Sequence, residues 1–321
     1  MRKRFAVLLA AALLLSCLMA CSPVAEGPTP EPKPCNITIT GADVPMTQFA
    51  QEEIMTAGQD YGVEEVWTVS FDGVDESLGE QAYTVTVSGD TISIKGGDEA
   101  GLMYGGLEVA EQIALYGADG VQEATAAPYV LRRGYMFNAP LDMRTPAYNS
   151  AGDAGYNNID TMWNMDFWHE FIDDMARNRY NAILLENINP YPSMVKVEGY
   201  EDIALDDVWR SNVPPDDEIM GDCTNIVREE DWDDYTVVKE MTIDEKIAFW
   251  QEVMAYAKDR GVEFHIKHSN IYTFAEDGQY GITDDPANPV TRDYFYKSAK
   301  ALLETYPDLV GLFVTPGENM S

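Results

Sequence analysis

Between residues 133 and 314 a strand-like apolar burst recurs four times, and a stretch of helical period separates each burst from the next. The bursts are residues 134–139 (GYMFNA), 182–186 (AILLE), 262–267 (VEFHIK) and 309–314 (LVGLFV). Helices are expected over 165–179, 243–261 and 291–306. A helix between two strands carries the chain back to the end where the previous strand began, so successive strands run parallel. The expected fold class is α/β, with residues 131–321 forming the N-terminal half of a (β/α)8 (TIM) barrel.

Upstream the texture differs. Residues 35–45 (CNITITGADVP) and 82–95 (AYTVTVSGDTISIK) alternate β-branched with other residues, and Gly89-Asp90 splits the second run as a hairpin turn would. A helix is expected over 46–61. Another is expected over 100–116, where Leu102, Leu107, Val109, Ile113 and Leu115 fall mainly on one stripe. Residues 35–130 therefore read as a small α+β domain preceding the barrel. The insertion 187–241 is rich in acidic residues, Pro, Trp and Tyr, and reads as an elaborated loop on the face where barrels carry their sites. Ser321 follows soon after the fourth burst, where four further strand–helix units would close a barrel. The expectation is a truncated gene product or a fragment; the alternative is a four-unit fold that stands alone or is completed by another chain.

The first 21 residues combine a basic start, Met1-Arg2-Lys3-Arg4, with an apolar run that ends at Cys21. That run is short and rich in small residues, as in an export signal rather than a spanning helix. Leu18-Met19-Ala20-Cys21 resembles the lipobox of bacterial lipoproteins, which would make Cys21 the acylated N-terminus. Two alternatives stand: lipidation at Cys17 after Leu14-Leu15-Ser16, or an ordinary signal peptide. Residues 22–34 hold five prolines, as a semi-rigid linker would. The expected location is the outward face of the cell envelope, with the membrane as partner through the anchor.

A formal net charge of −34, from 55 acidic and 21 basic residues, would repel nucleic acid and suits a neutral or sparsely charged ligand. Cys35 and Cys223 are too few for a disulfide framework and lack zinc-site spacing, although they could form one bridge. The three histidines, His169, His265 and His268, are thin material for a metal centre, so neither metal nor cofactor is expected.

Barrel enzymes carry reacting groups at the C-terminal ends of strands and in the loops that follow. Those positions hold Asn138, Asp142 and Arg144 after the first burst, and Glu186, Asn187 and Asn189 after the second. His268, Ser269 and Asn270 follow the third, and Glu318 and Asn319 the fourth. Glu318, flanked by Gly317 and Asn319, is placed to protonate a leaving oxygen, or is a solvated loop glutamate. Asn187, Asn189 and Asn270 suit sugar hydroxyls but also favour turns. His268 could meet substrate or be satisfied by a neighbour. Alternation groups His268 with Phe264 and Ile266, and Lys267 with His265, without fixing which set faces inward. Trp163, Tyr191 and Trp209 offer flat platforms for sugar rings, whereas Trp168 inside a helix reads as core.

Residues 96–107 (GGDEAGLMYGGL), continuing to Ala110-Glu111, resemble the helix of the small domain preceding the barrel in β-N-acetylhexosaminidases and α-glucuronidases. Residues 306–314 with Gly317-Glu318 are similar to the fourth-strand motif of bacterial and fungal α-glucuronidases, in which the glutamate is the general acid. The resemblance covers two short stretches. It implies a glycoside hydrolase acting on extracellular oligo- or polysaccharide, with Glu318 as acid and Arg144 and Lys267 as candidates for a uronate carboxylate. An inverting pair of carboxyl groups stands about 6.5–9.5 Å apart, and the second would come from a later strand, so these residues alone are expected to be inactive. The substrate-assisted hexosaminidases carry an Asp-Glu pair where this chain has Gly317-Glu318, which weighs against that chemistry. The alternatives are a non-catalytic glycan-binding surface lipoprotein and a β-N-acetylhexosaminidase.

Overall fold

The computed structural model describes residues 33–145, 147, 158–213 and 232–315. Strand β1 (Ile37–Gly41), helix α1 (Pro45–Tyr61) and strand β2 (Trp67–Val74) form a crossover that leaves β1 and β2 parallel, with Ile37 opposite Trp67. The β-branched run folds as expected into the hairpin β3 (Tyr83–Ser88) and β4 (Thr91–Gly96), and Ser88 faces Thr91 across the Gly89-Asp90 turn. Helix α2 (Glu99–Tyr116) and β5 (Ala124–Ala126) complete a sheet of order β1-β2-β4-β3-β5. The sequence reading missed β2, although Trp67, Val69 and Phe71 are buried and alternate with half-exposed Thr68 and Ser70.

Helix α2 starts where the Asp98 carboxylate accepts a 2.7 Å hydrogen bond from the Gly101 amide. Its Gly105-Gly106 pair permits close packing, since a Cβ on Gly105 would stand 2.6 Å from Ile94 and one on Gly106 2.7 Å from Ala50. Leu102, Leu107, Val109 and Ile113 join Phe49, Ile54, Val69 and Phe71 in the core. Leu115, expected on the same stripe, is 67% exposed because it lies two residues beyond buried Ile113 and so on the other side of the helix.

The second sheet comprises β6 (Gly134–Asn138), β7 (Ala182–Glu186), β10 (Glu263–Ser269) and β11 (Leu309–Thr315), in the order β11-β10-β7-β6. All its pairings are parallel. Helices α3 (Met165–Arg177), α4 (Ile243–Asp259) and α5 (Pro289–Thr305) connect successive strands, as in a partial α/β barrel. Each helix has a sequence-coded start: Asn164 caps α3, Asn288 caps α5, and a Thr242–Glu245 capping box opens α4. Trp168 of α3 and Trp250 of α4 meet edge to face at 5.3 Å over Phe264. With Ile183, Leu185 and Ile266 they form the core between helices and sheet. The insertion contributes an antiparallel ribbon, β8 (Val208–Ser211) with β9 (Tyr235–Lys239). Among the described residues no helix is long and apolar enough to cross a membrane.

Arg133, where the first sheet's chain enters β6, binds both sheets. Its guanidinium donates to the Arg179 carbonyl at 2.7 Å, the Gln81 side chain at 2.9 Å and the Leu131 carbonyl at 3.1 Å. Around it lies a cavity of about 710 Å³ lined by Tyr83, Tyr104, Arg133 and Tyr180, at the N-terminal end of β6 and so away from the strand ends where barrels do chemistry.

Candidate active site

Strand alternation sends one residue set toward the helices and the next toward the barrel axis. The aromatic layer of α3 and α4 takes Ile183, Leu185, Phe264 and Ile266, which turns Leu184, Glu186, His265 and Lys267 the other way. The side of β10 left open by sequence is thereby settled: Lys267 and His265 face the axis. Register places Asn138 beside Glu186 and Glu186 beside Lys267. Three neighbouring strands therefore present a polar row at their C-terminal ends. The Lys267 ammonium stands 2.9 Å from the Glu186 carboxylate, with 24% and 11% of the side chains exposed. Glu186 belongs to this row as much as Lys267 does, and only its position at a strand end marked it in the sequence.

His268 lies on the helix-facing parity at the strand's end, 6% exposed. Its Nδ1 is 2.6 Å from the Ser269 carbonyl, which can only accept, so Nδ1 carries the proton. Nε2 then accepts from the Tyr191 hydroxyl at 3.0 Å. Burial lowers the imidazole's pKa, consistent with this neutral tautomer. Both ring nitrogens are therefore occupied by protein groups.

The asparagines stitch loops together. Asn187, 2% exposed, donates to the carbonyls of Ala139 at 2.8 Å and Thr145 at 3.0 Å, and its oxygen accepts from the Asn189 amide at 3.0 Å. Asn189, also buried, donates to the Tyr272 carbonyl at 3.1 Å and to the Glu276 carboxyl. The Asn270 amide donates to the Thr315 carbonyl at 2.8 Å, joining the loop after β10 to β11.

Asp142 and Arg144 form a buried pair, with Arg144 Nε at 2.7 Å and Nη2 at 2.9 Å from the two carboxylate oxygens. Asp142 also accepts from the Trp209 amide at 2.8 Å, fastening the ribbon to the loop after β6. Arg144 lies 3.7 Å over the Trp209 ring, and Tyr235 stacks on Trp209 at 3.8 Å. Trp209 is thus sandwiched between two groups rather than open as a platform. Trp163 and Tyr191 are likewise buried, and Trp168 is core as expected.

Two further buried ionisable groups escaped the sequence reading. Lys246 of α4 is wholly buried, donates to the Asp207 carbonyl and lies 5.4 Å over Trp163. Burial lowers its pKa to about 8, against the pull of Asp142. Glu276, in the loop after β10, has no exposed surface, and burial raises its carboxyl to about 7. Glu318, Asn319, Cys21 and Cys223 lie outside the described residues. Among the described residues no group of three or more His, Cys, Asp or Glu could hold a metal ion.

No family model matches the chain, and no curated protein matches it. Among solved structures, the chain is similar to a GH138 enzyme targeting pectin rhamnogalacturonan II, with a TM-score of 0.63 and 22% identity. That match covers 89% of this chain and 31% of the enzyme, so the chain spans about a third of the enzyme's length. A GH20 exo-β-N-acetylglucosaminidase from Vibrio harveyi aligns at a TM-score of 0.48 and 15% identity, over 86% of this chain and 42% of that one. A β-N-acetylhexosaminidase from Bacteroides fragilis aligns at 0.48 and 12%, over 86% and 52%. The likeness to the GH138 enzyme shows the fold: a small sheet-rich unit followed by a partial α/β barrel.

Proposed function

We propose that the chain is part of a glycoside hydrolase acting on extracellular oligo- or polysaccharide, α-glucuronidase-like, with Glu318 as general acid after the fourth barrel strand. The observation that carries this reading is the row of Asn138, Glu186 and Lys267, directed toward the barrel axis at the C-terminal ends of adjacent parallel strands. At strand spacing the row spans roughly 10 Å. Asn138 and Glu186 can exchange hydrogen bonds with sugar hydroxyls, and Lys267 can share its charge between Glu186 and a substrate carboxylate. Arg144, the other uronate candidate, already has its guanidinium engaged by Asp142. The proposal includes export and a lipid anchor at Cys21, supported by the basic and apolar leader and its lipobox-like end.

The test is hydrolysis by the whole protein of oligosaccharides capped by a uronic acid or by N-acetylglucosamine, with Glu318→Gln in parallel. The expected outcome is release of the uronic acid, with kcat reduced about 10²- to 10⁴-fold in the variant. Full turnover by Glu318→Gln would remove Glu318 as the acid. Release of N-acetylglucosamine alone would favour the hexosaminidase reading, and saturable binding without turnover a glycan-binding lipoprotein.

A further inference from the structure

We infer that Glu276 is a positioning residue that acts through Asn189: it fixes the loop after β10 against the loop after β7 and so sets the shape of the site's mouth. Glu276 Oε1 accepts from Asn189 Nδ2, and Oε2 accepts from the Phe274 amide at 3.3 Å. Asn189 is tied to Asn187, and Asn187 to the carbonyls of Ala139 and Thr145 after β6. One buried carboxyl thus ends a chain of hydrogen bonds crossing three of the loops that frame the polar row. Asn187 follows Glu186 directly, so a shift in this chain moves the row itself.

Burial and the acidic groups near Glu276 favour its neutral form. Asp277 is next in the chain, and Tyr294 of α5, itself buried, lies close enough to interact electrostatically. Beyond Tyr294 come Tyr191 and its neutral partner His268. Burial raises the carboxyl to about 7, although the amides and Asn189 pull the other way. Asn189 Oδ1 is buried without a hydrogen-bond partner, and a protonated Glu276 brings the O–H donor that such a pocket lacks. Ionisation would place a charge where desolvation is severe and remove that donor, which loosens the join between loops.

The structural arm measures backbone amide exchange over residues 270–282 in the whole protein, corrected for intrinsic rates, from about pH 6 to about pH 8. Protection at Phe274 is expected to fall about tenfold per pH unit as pH rises toward about 7, where the native carboxyl still holds the proton that the opened one has lost, and to level off above it; Glu276→Gln, neutral at every pH, is expected to stay protected throughout. Glu276→Ala should be unprotected at all pH values. The catalytic arm rests on the glycosidase reading: Glu276→Ala is expected to raise KM on the order of tenfold with kcat nearly unchanged, and Glu276→Gln to abolish the alkaline limb of the kcat/KM profile. A wild-type protein without a break near pH 7, or a Gln variant that keeps it, overturns the inference. Exchange decides this whether or not the protein turns over any glycoside, so failure of the glycosidase reading remains distinguishable.

Discussion

Lys246 and the pair of Asp142 with Arg144 show how the loops after β6 and β7 are held. Each buried charge needs a partner, because an unpaired one would cost several kcal/mol. Arg144 supplies Asp142 with two charge-assisted bonds, and the Asp207 carbonyl serves Lys246. Lys246 still carries a net penalty, since its pKa is lowered to about 8 from 10.5. Between those values the unfolded chain binds more protons than the native one, so stability should rise with pH across that window. Lys246→Met, similar in length and uncharged, is expected to remove that rise while preserving the fold. Urea midpoints from about pH 7.5 to pH 10.5 would show it, and an unchanged slope in the variant would rule Lys246 out as its source.

At the element scale, much was legible because local chemistry and tertiary fold agree. Gly89-Asp90 marked the β3–β4 turn and helical period marked α4, to whose start the structure adds reciprocal bonds, Thr242 N to Glu245 Oε2 at 2.7 Å and Glu245 N to Thr242 Oγ1 at 3.3 Å. Thr242→Ala should cost about 1 kcal/mol in equilibrium denaturation, and Thr242→Ser much less. β2 carries the same alternation as β3 but pairs in parallel with strands distant in sequence, so no turn dipeptide flags it. The three-residue β5 exists only because β3 offers it an edge. The site was legible as a set of strand-end positions but not as roles. Phe264-Ile266-His268 and His265-Lys267 are equivalent by period, and the aromatic layer of α3 and α4 decides between them. The side chains of Asn187 and Asn189 bind backbone carbonyls, which residue type alone does not reveal.

For the whole molecule, several arginines bridge the two sheets, beside apolar contacts such as Ala176 in the first sheet's core. Arg177 meets Glu53 at 2.9 Å, Arg179 pairs with Glu111, Arg260 lies 4.7 Å over the Phe49 ring, and Arg133 knots Gln81 to the backbone leading into β6. The exposed pairs contribute little in water. Arg133 is partly buried and its donors serve several acceptors, so Arg133→Ala should cost about 3 kcal/mol. It should also split a single unfolding transition into two, one for each sheet, seen as non-coincident tryptophan fluorescence and far-UV circular dichroism. Trp67 lies in the first sheet, whereas Trp163, Trp168 and Trp250 pack against the second. Coincident transitions in the variant would mean that the apolar contacts alone couple the sheets.

The division of β10 into a greasy side and a wet side also limits how such a protein can diverge. Losing or gaining one codon within the strand would swap Lys267 for Ile266 or His268 at the axis and drive a charged side chain into the tryptophan layer, so strand length is frozen. The loops carry no such parity, and the insertion between β7 and α4 already shows how much length they absorb. Descendants of this gene can therefore acquire new substrates by lengthening or exchanging loops over an unchanged barrel floor.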